Sequence, residues 1–287
     1  MPGAIFQDNN RALITPSGAY GVDNLVPENI KSGVNIGGIV GAMEGPIGDL
    51  SEYTWSQIYQ IVRNDKVPQK WIGQTKTFLG TDNNIYTLRF VDNTAGRYQF
   101  DDNTYSKGVF ELVELIDRKL YYYSSGAAWY IYKPGVINET TNSFYYEIFP
   151  NEILSLLKPT IVRICLPNTA NTGSAATKLL IPCLFEIANP INIDTNYISN
   201  ATVKDLFRET NGFEGNFCCE VFDYYKRHNI PDDLIKHVVG TDTGVYYLTR
   251  TTRPGYYNGM CISSAGNITQ ANSGSSGSHY IALCFAI

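Results

Sequence analysis

With 287 residues, 44% of them hydrophobic, the chain can bury a sizeable core, and its length predicts two or three units or one larger mixed domain. A formal charge of −5, a pI of about 5.3 and the lack of a basic run argue against nucleic acid as a partner. No apolar run reaches the length of a membrane span, so insertion into a bilayer is not expected.

The opening "MPGAIFQDNNRALITP" has no basic segment followed by an apolar one, so no secretory signal peptide is expected. Residues 1–49 are set apart by Gly33, Gly37, Gly38, Gly41 and Gly45 with Val and Ile between them. A dinucleotide loop would need a strand before these glycines and a helix opening on the third. Pro27-Glu28-Asn29 precedes them and Pro46 follows, so two short strands, Gly33–Ile36 and Ile39–Met43, are predicted around a tight turn instead. So small a piece buries little by itself and reads as an attachment module that packs on a partner.

From Leu50 the pattern turns helical. Ser51 is the expected cap, Trp55, Ile58, Tyr59 and Val62 recur at helical spacing, and Pro68 marks the end. "TKTFL" (75–79), "GTDNN" and "IYTLRFVD" (85–92) predict a hairpin. The aromatic runs 120–125, 128–133 and 143–149 predict strands, and Asn151 to Lys158 a short helix ended by Pro159. "KLLIPCLFEIA" (178–188) predicts a buried strand with a turn, and 202–209 and 217–227 predict helices. The order describes an α+β fold with strands dominating, not an alternating βαβ series.

Catalytic and metal constellations find little support. Asp101-Asp102, Asp194 and Asp232-Asp233 sit in turn-like contexts, where turn formation is the commoner role than a glycosidase pair. No Gly-x-Ser-x-Gly elbow occurs, and "DTNYISN" lacks the Gly and the closing Glu of a calcium loop. Cys218 and His228 read as a helix-core thiol and a surface imidazole rather than a nucleophile pair. The six cysteines lack Cys-x-x-Cys spacing and the three histidines do not complete a zinc set, so buried free thiols are expected. Cys261 and Cys284 lie on either side of the terminal polar segment, and nothing in the sequence marks an oxidising compartment that would join them. Neither enzymatic activity nor a cofactor is expected.

The most informative stretch is the last. Strand patterns Val245–Leu248 and Tyr280–Ile287 frame residues 249–279, made largely of Tyr, Ser, Thr, Asn and Gly. Tyr supplies stiff amphipathic area and Ser, Asn and Gly adaptable hydrogen bonding, as in binding loops. A plain polar loop has the same composition. No Asp or Glu follows Asp242, so any contact there is neutral, aromatic or cationic. The candidate binding residues are Arg250, Arg253, Tyr256, Tyr257, Asn258, Asn267, Gln270 and Asn272. Arg250, directly after the strand, has a second candidate role as a lock beneath the loop. The final apolar run, Ile281–Ile287, is expected as a central buried strand.

"ENIKSGVNIGGIVGAMEG" (28–45) is similar to a repeat-like module of tail and fibre proteins in phages and prophages of Gram-positive anaerobes. The remainder resembles a family of phage structural domains with a "GDTKT"-like hairpin, a "LFLLS"-like strand, a "YY" helix, a "WWLRS" strand, a Ser/Asn/Gly-rich variable loop and an "FGFCI"-like last strand. The matching positions are Gly73–Thr77, Leu179–Pro182, Phe222–Tyr225, Tyr246–Arg250 and Leu283–Ile287. Tyr246-Tyr247 stands where the family often has Trp, and Thr251 where it has Ser. The resemblance covers most of residues 28–287 and implies a C-type-lectin-like fold of the formylglycine-generating type, with a terminal surface that binds without calcium.

The resulting expectation is a particle-attachment module (1–49) followed by an α+β lectin-like receptor-binding domain (50–287), with a sub-boundary near 150–178. Its role would be a non-enzymatic tail-fibre or baseplate protein of a virion or phage-tail-like particle. Its partners would be other tail or baseplate subunits, further copies of itself with a trimer as the first expectation, and a bacterial surface glycan or surface protein. It would be made in the host cytoplasm and released by lysis. The rivals are a purely structural baseplate, collar or capsid-decoration subunit and, third, a glycan depolymerase.

Overall fold

The computed structural model describes residues 6–8, 11–13, 35–36, 39–40, 48–121, 143–165, 172–188, 221–227, 231–252, 259–270 and 278–287. The chain divides into two compact units, Met1–Gly48 with Lys66–Pro68, and Asp49–Asp65 with Gln69–Ile287. In the first, β1 (Phe6–Asp8) pairs antiparallel with β2 (Arg11–Leu13), and β3 (Asn35–Ile36) with β4 (Ile39–Val40) around Gly37-Gly38. The β1–β2 hairpin was not foreseen; the outer parts of the predicted 33–36 and 39–43 strands lie outside the described residues.

The second unit is α+β, built on two sheets. The hairpin β5 (Thr75–Leu79) and β6 (Ile85–Asp92) forms at the predicted bounds. Its tip closes because Asn83 takes a φ of 66° and Asp82 accepts the Asn84 N–H and the Tyr86 hydroxyl. With β7 (Val109–Leu112) and the last strand β15 (Cys284–Ala286) it makes an antiparallel sheet of order β15-β7-β6-β5. Helix α1 (Trp55–Arg63) buries Trp55, Ile58 and Val62. Its cap is Thr54, not Ser51, because Gln57 three residues on completes a capping box; Ser51 lies in a 3₁₀ turn. Phe110 is the hub of the core, with ring centroids 5.7 Å from Trp55, 4.9 Å from Phe90 and 5.5 Å from Phe285.

One predicted strand is a helix, and a second is strand-like and buried at Leu180 but helical in its later part. Residues 143–149 form α2 (Ser143–Glu147), with adjacent Tyr145 and Tyr146 both buried, which strand alternation does not allow on a one-sided sheet. The run 178–188 turns at Pro182 into α4 (Leu184–Ile187) after the short helix α3 (Asn151–Leu154), because Glu186 accepts the Cys183 N–H at 2.7 Å and starts a turn. Between α3 and α4 lie β9 (Thr160–Cys165) and β10 (Thr172–Thr177), a two-stranded ribbon. The predicted 217–227 helix is present as α5 (Asp223–Arg227); 202–209 and 217–220 lie outside the described residues.

The second sheet has the order β13-β12-β11-β14-β8, with β8 at Leu120–Tyr121, β11 at Tyr247–Thr252, β12 at Gly259–Ile262, β13 at Ile268–Gln270 and β14 at Ser278–Ile281. The final apolar run therefore splits. Ile281 ends β14, inside one sheet, and Cys284–Ala286 is β15, at the end of the other. All seven residues 281–287 are buried. The outer edge of β15 is covered by Leu180, whose N–H and C=O both bond Cys284 at 2.7 and 2.9 Å.

Candidate functional site

The framed polar segment rests on β11, β12 and β13. Thr252 pairs with Gly259, so the six residues 253–258 span the open end of a hairpin. Met260 pairs with Gln270, which brings the end of β13 to the same end of the sheet. The opposite end holds the β12–β13 turn, closed by the Ser263 N–H on the Asn267 carbonyl at 2.8 Å and by Gly266 at a φ of 75°. Asn267 sits in that turn, half-buried, on the far side of the strands from Gly259.

Arg250 is inside. It is 8% exposed, and its guanidinium grips the Glu186 carboxylate with both ends, Nη1–Oε2 and Nη2–Oε1 each at 2.7 Å. Nη1 also donates to the Ile181 carbonyl at 3.0 Å. Glu186 further accepts the Tyr98 hydroxyl at 2.5 Å and the Cys183 N–H. Burial pushes the Glu186 carboxyl up, but the Arg250 charge and these hydrogen bonds outweigh it and hold it below the ordinary range. Arg250 thus occupies the second of its two candidate roles, anchoring the hairpin from within, and is not a surface contact.

Of the other candidates, the backbone of Gln270 lies at the hairpin end of β13 and Asn267 in the turn at its other end. Arg253, Tyr256, Tyr257, Asn258 and Asn272 lie outside the described residues; Asn258 directly precedes Gly259. Cys261 and Cys284 are both buried free thiols, on different sheets; burial pushes the Cys261 thiol up to about 12. Among the described residues no group of three or more His, Cys, Asp and Glu side chains is placed to hold a metal ion, and no helix is long and apolar enough to cross a membrane.

A second buried cluster fixes the scaffold. Glu111 on β7, 1% exposed, accepts the Tyr225 hydroxyl at 2.8 Å, Arg89 at 3.1 Å and Lys236 at 3.4 Å. Lys236 also donates to the Leu112 carbonyl at 2.8 Å. Burial pushes its ammonium down, against the pull of Glu111. Gly73, at a φ of 90°, lets the backbone pass against Tyr224, whose ring also carries the Arg89 guanidinium at 4.5 Å. Asp92 similarly holds Arg97 at 2.6 Å and the Asp223 N–H at the start of α5. These carboxylates face into the protein, each saturated by donors, which is the geometry of structural ion pairs. Sequence reasoning missed Glu186, Glu111 and Lys236. The available signal was a lone carboxylate inside the apolar run 178–188, since a buried charge requires a partner.

No protein family, curated protein or solved structure matches the chain.

Proposed function

We propose that the chain is a non-enzymatic tail-fibre or baseplate protein of a phage or phage-tail-like particle that binds a bacterial surface receptor through its C-terminal segment. The observation that carries this reading is the mounting of residues 253–258: a segment with two adjacent tyrosines, set on a paired Thr252–Gly259 base and anchored from inside by Arg250 and Glu186. A fixed base for a segment that carries aromatic and amide side chains lowers the ordering cost of binding. The lack of any carboxylate after Asp242 favours a neutral, metal-independent contact with sugar rings or apolar groups. In this reading unit 2 is lectin-like, its late strands β11–β14 carrying the display surface while β15 closes on β7 early in the unit. The short hairpins of unit 1 serve attachment to neighbouring subunits, further copies of the chain among them.

The test is adsorption of the purified protein to host cells. Tyr256→Ala with Tyr257→Ala should lose about 2 kcal/mol, roughly thirtyfold in affinity, with particle assembly unchanged. Wild-type adsorption should survive a chelator. Unchanged adsorption by the double variant would overturn the reading.

One observation favours the structural-subunit rival. Leu79 and Ile85, paired across the β5–β6 hairpin, are 62% and 66% exposed, an apolar pair suited to a neighbouring subunit. Under that rival, Leu79→Thr with Ile85→Thr blocks assembly, and the tyrosine variant changes nothing.

A further inference from the structure

β11 and β12 do not keep step. Leu248 pairs with Cys261 and Thr252 with Gly259, so residues 249–251 stand opposite Met260 alone. A regular ladder continuing from Leu248–Cys261 would instead set position 250 against Gly259. The two registers differ by two residues, and a two-residue shift returns every side chain to its own face. Apolar-polar alternation therefore cannot choose between them. Arg250 can. In the bulged register its N–H leaves the ladder for the Pro182 carbonyl at 3.1 Å, and its guanidinium reaches Glu186 and the Ile181 carbonyl. Glu186 is itself held for that contact by the Tyr98 hydroxyl and the Cys183 N–H.

We propose that the Glu186–Arg250 pair selects the bulged register of the β11–β12 hairpin and so fixes its connecting segment at six residues, 253–258, rather than the eight residues 251–258 of the regular ladder. The pair is a positioning device: it decides which residues stand beyond the last strand pair. Its importance for recognition rests on the proposed receptor-binding role; the register itself does not, and is read without any receptor.

The experiment is cross-strand nuclear Overhauser spectroscopy on the full chain. Glu186→Gln with Arg250→Met removes both buried charges, keeps an acceptor for Cys183 and Tyr98, and fills the volume of the arginine stem. The wild type should show contact between the Thr252 and Gly259 backbones. The double variant should lose it and gain one between position 250 and Gly259, while the Leu248–Cys261 and Phe110–Phe285 contacts persist. Retention of the Thr252–Gly259 contact in the folded double variant would overturn the proposal. If that variant does not fold, Arg250→Lys keeps the charge and loses the two-ended grip. Amide exchange at Thr252 and Met260 should then accelerate about tenfold with Phe110 and Cys284 unchanged, and equal rates at all four would overturn it.

Discussion

The two sheets of unit 2 are held in different ways. The four-stranded sheet packs Phe110 against the rings of Phe90, Phe285 and Trp55, and its buried ion pair lies within the sheet, Glu111 on β7 facing Arg89 directly across on β6 at 3.1 Å. The five-stranded sheet carries short strands, a bulge and a parallel pairing of β11 with β14, and its inner anchor is an ion pair, Arg250 with Glu186. Burial is non-directional and sets where a sheet lies. A two-ended guanidinium–carboxylate contact is directional and sets which residue lies where. Both sheets thus hold a directional buried pair, which joins neighbouring strands in the first and reaches outside the sheet, from β11 to α4, in the second.

The largest effect should come from the element both sheets share. Removing Ile281–Ile287 takes away β15 and the end of β14, and cooperative thermal unfolding monitored by circular dichroism should disappear. A cooperative melt near the full-length temperature would show that the apolar base stands without its last strand. Next, Phe110→Ala should destabilise by about 4 kcal/mol through a cavity at the hub of the rings, read as a shift of the urea midpoint. On the other sheet, Glu186→Ala should cost about 3 kcal/mol because it leaves the buried Arg250 charge without its carboxylate. A negligible loss there would break the contrast between the two sheets.

A smaller effect concerns pH. The folded-state pKa of Glu186 lies below its ordinary value of 4.5. Its contribution is therefore complete above that value and is lost as pH falls through the folded pKa, the unfolded chain taking up the proton first. Urea midpoints measured from about pH 6 to about pH 3 should fall less steeply for Glu186→Gln than for the wild type. An identical slope would place acid sensitivity in other carboxylates. The smallest effect is expected at the exposed hairpin tip. Leu79→Thr with Ile85→Thr should move the stability of the isolated chain by no more than about 0.5 kcal/mol, measured by the same denaturation.

Where local chemistry decides structure, the sequence was sufficient. The 75–92 hairpin carries its own turn residues and alternation, α1 its helical stripe, and the segment before Pro159 its short helix, each within one window of chain. The burial of residues 281–287 was equally legible from their composition. The lack of late carboxylates and the Tyr/Asn/Ser character of 249–279 are also properties of sequence alone. Tertiary structure decided what long-range contacts decide. The runs 143–149 and 178–188 are short and mostly apolar or aromatic, so periodicity did not separate helix from strand, and tertiary contacts such as the Cys183 N–H on Glu186 made the choice. The last run reads as one strand but divides at Ala282-Leu283, where the Leu112 N–H takes the Leu283 carbonyl at 2.8 Å and the chain passes from one sheet to the other. Arg250 was legible as a cation next to a Tyr/Asn/Ser-rich segment, and its sequence position allowed either a surface contact or a lock. Only the fold, by bringing Glu186 across 64 positions of chain to within 2.7 Å, turned it inward.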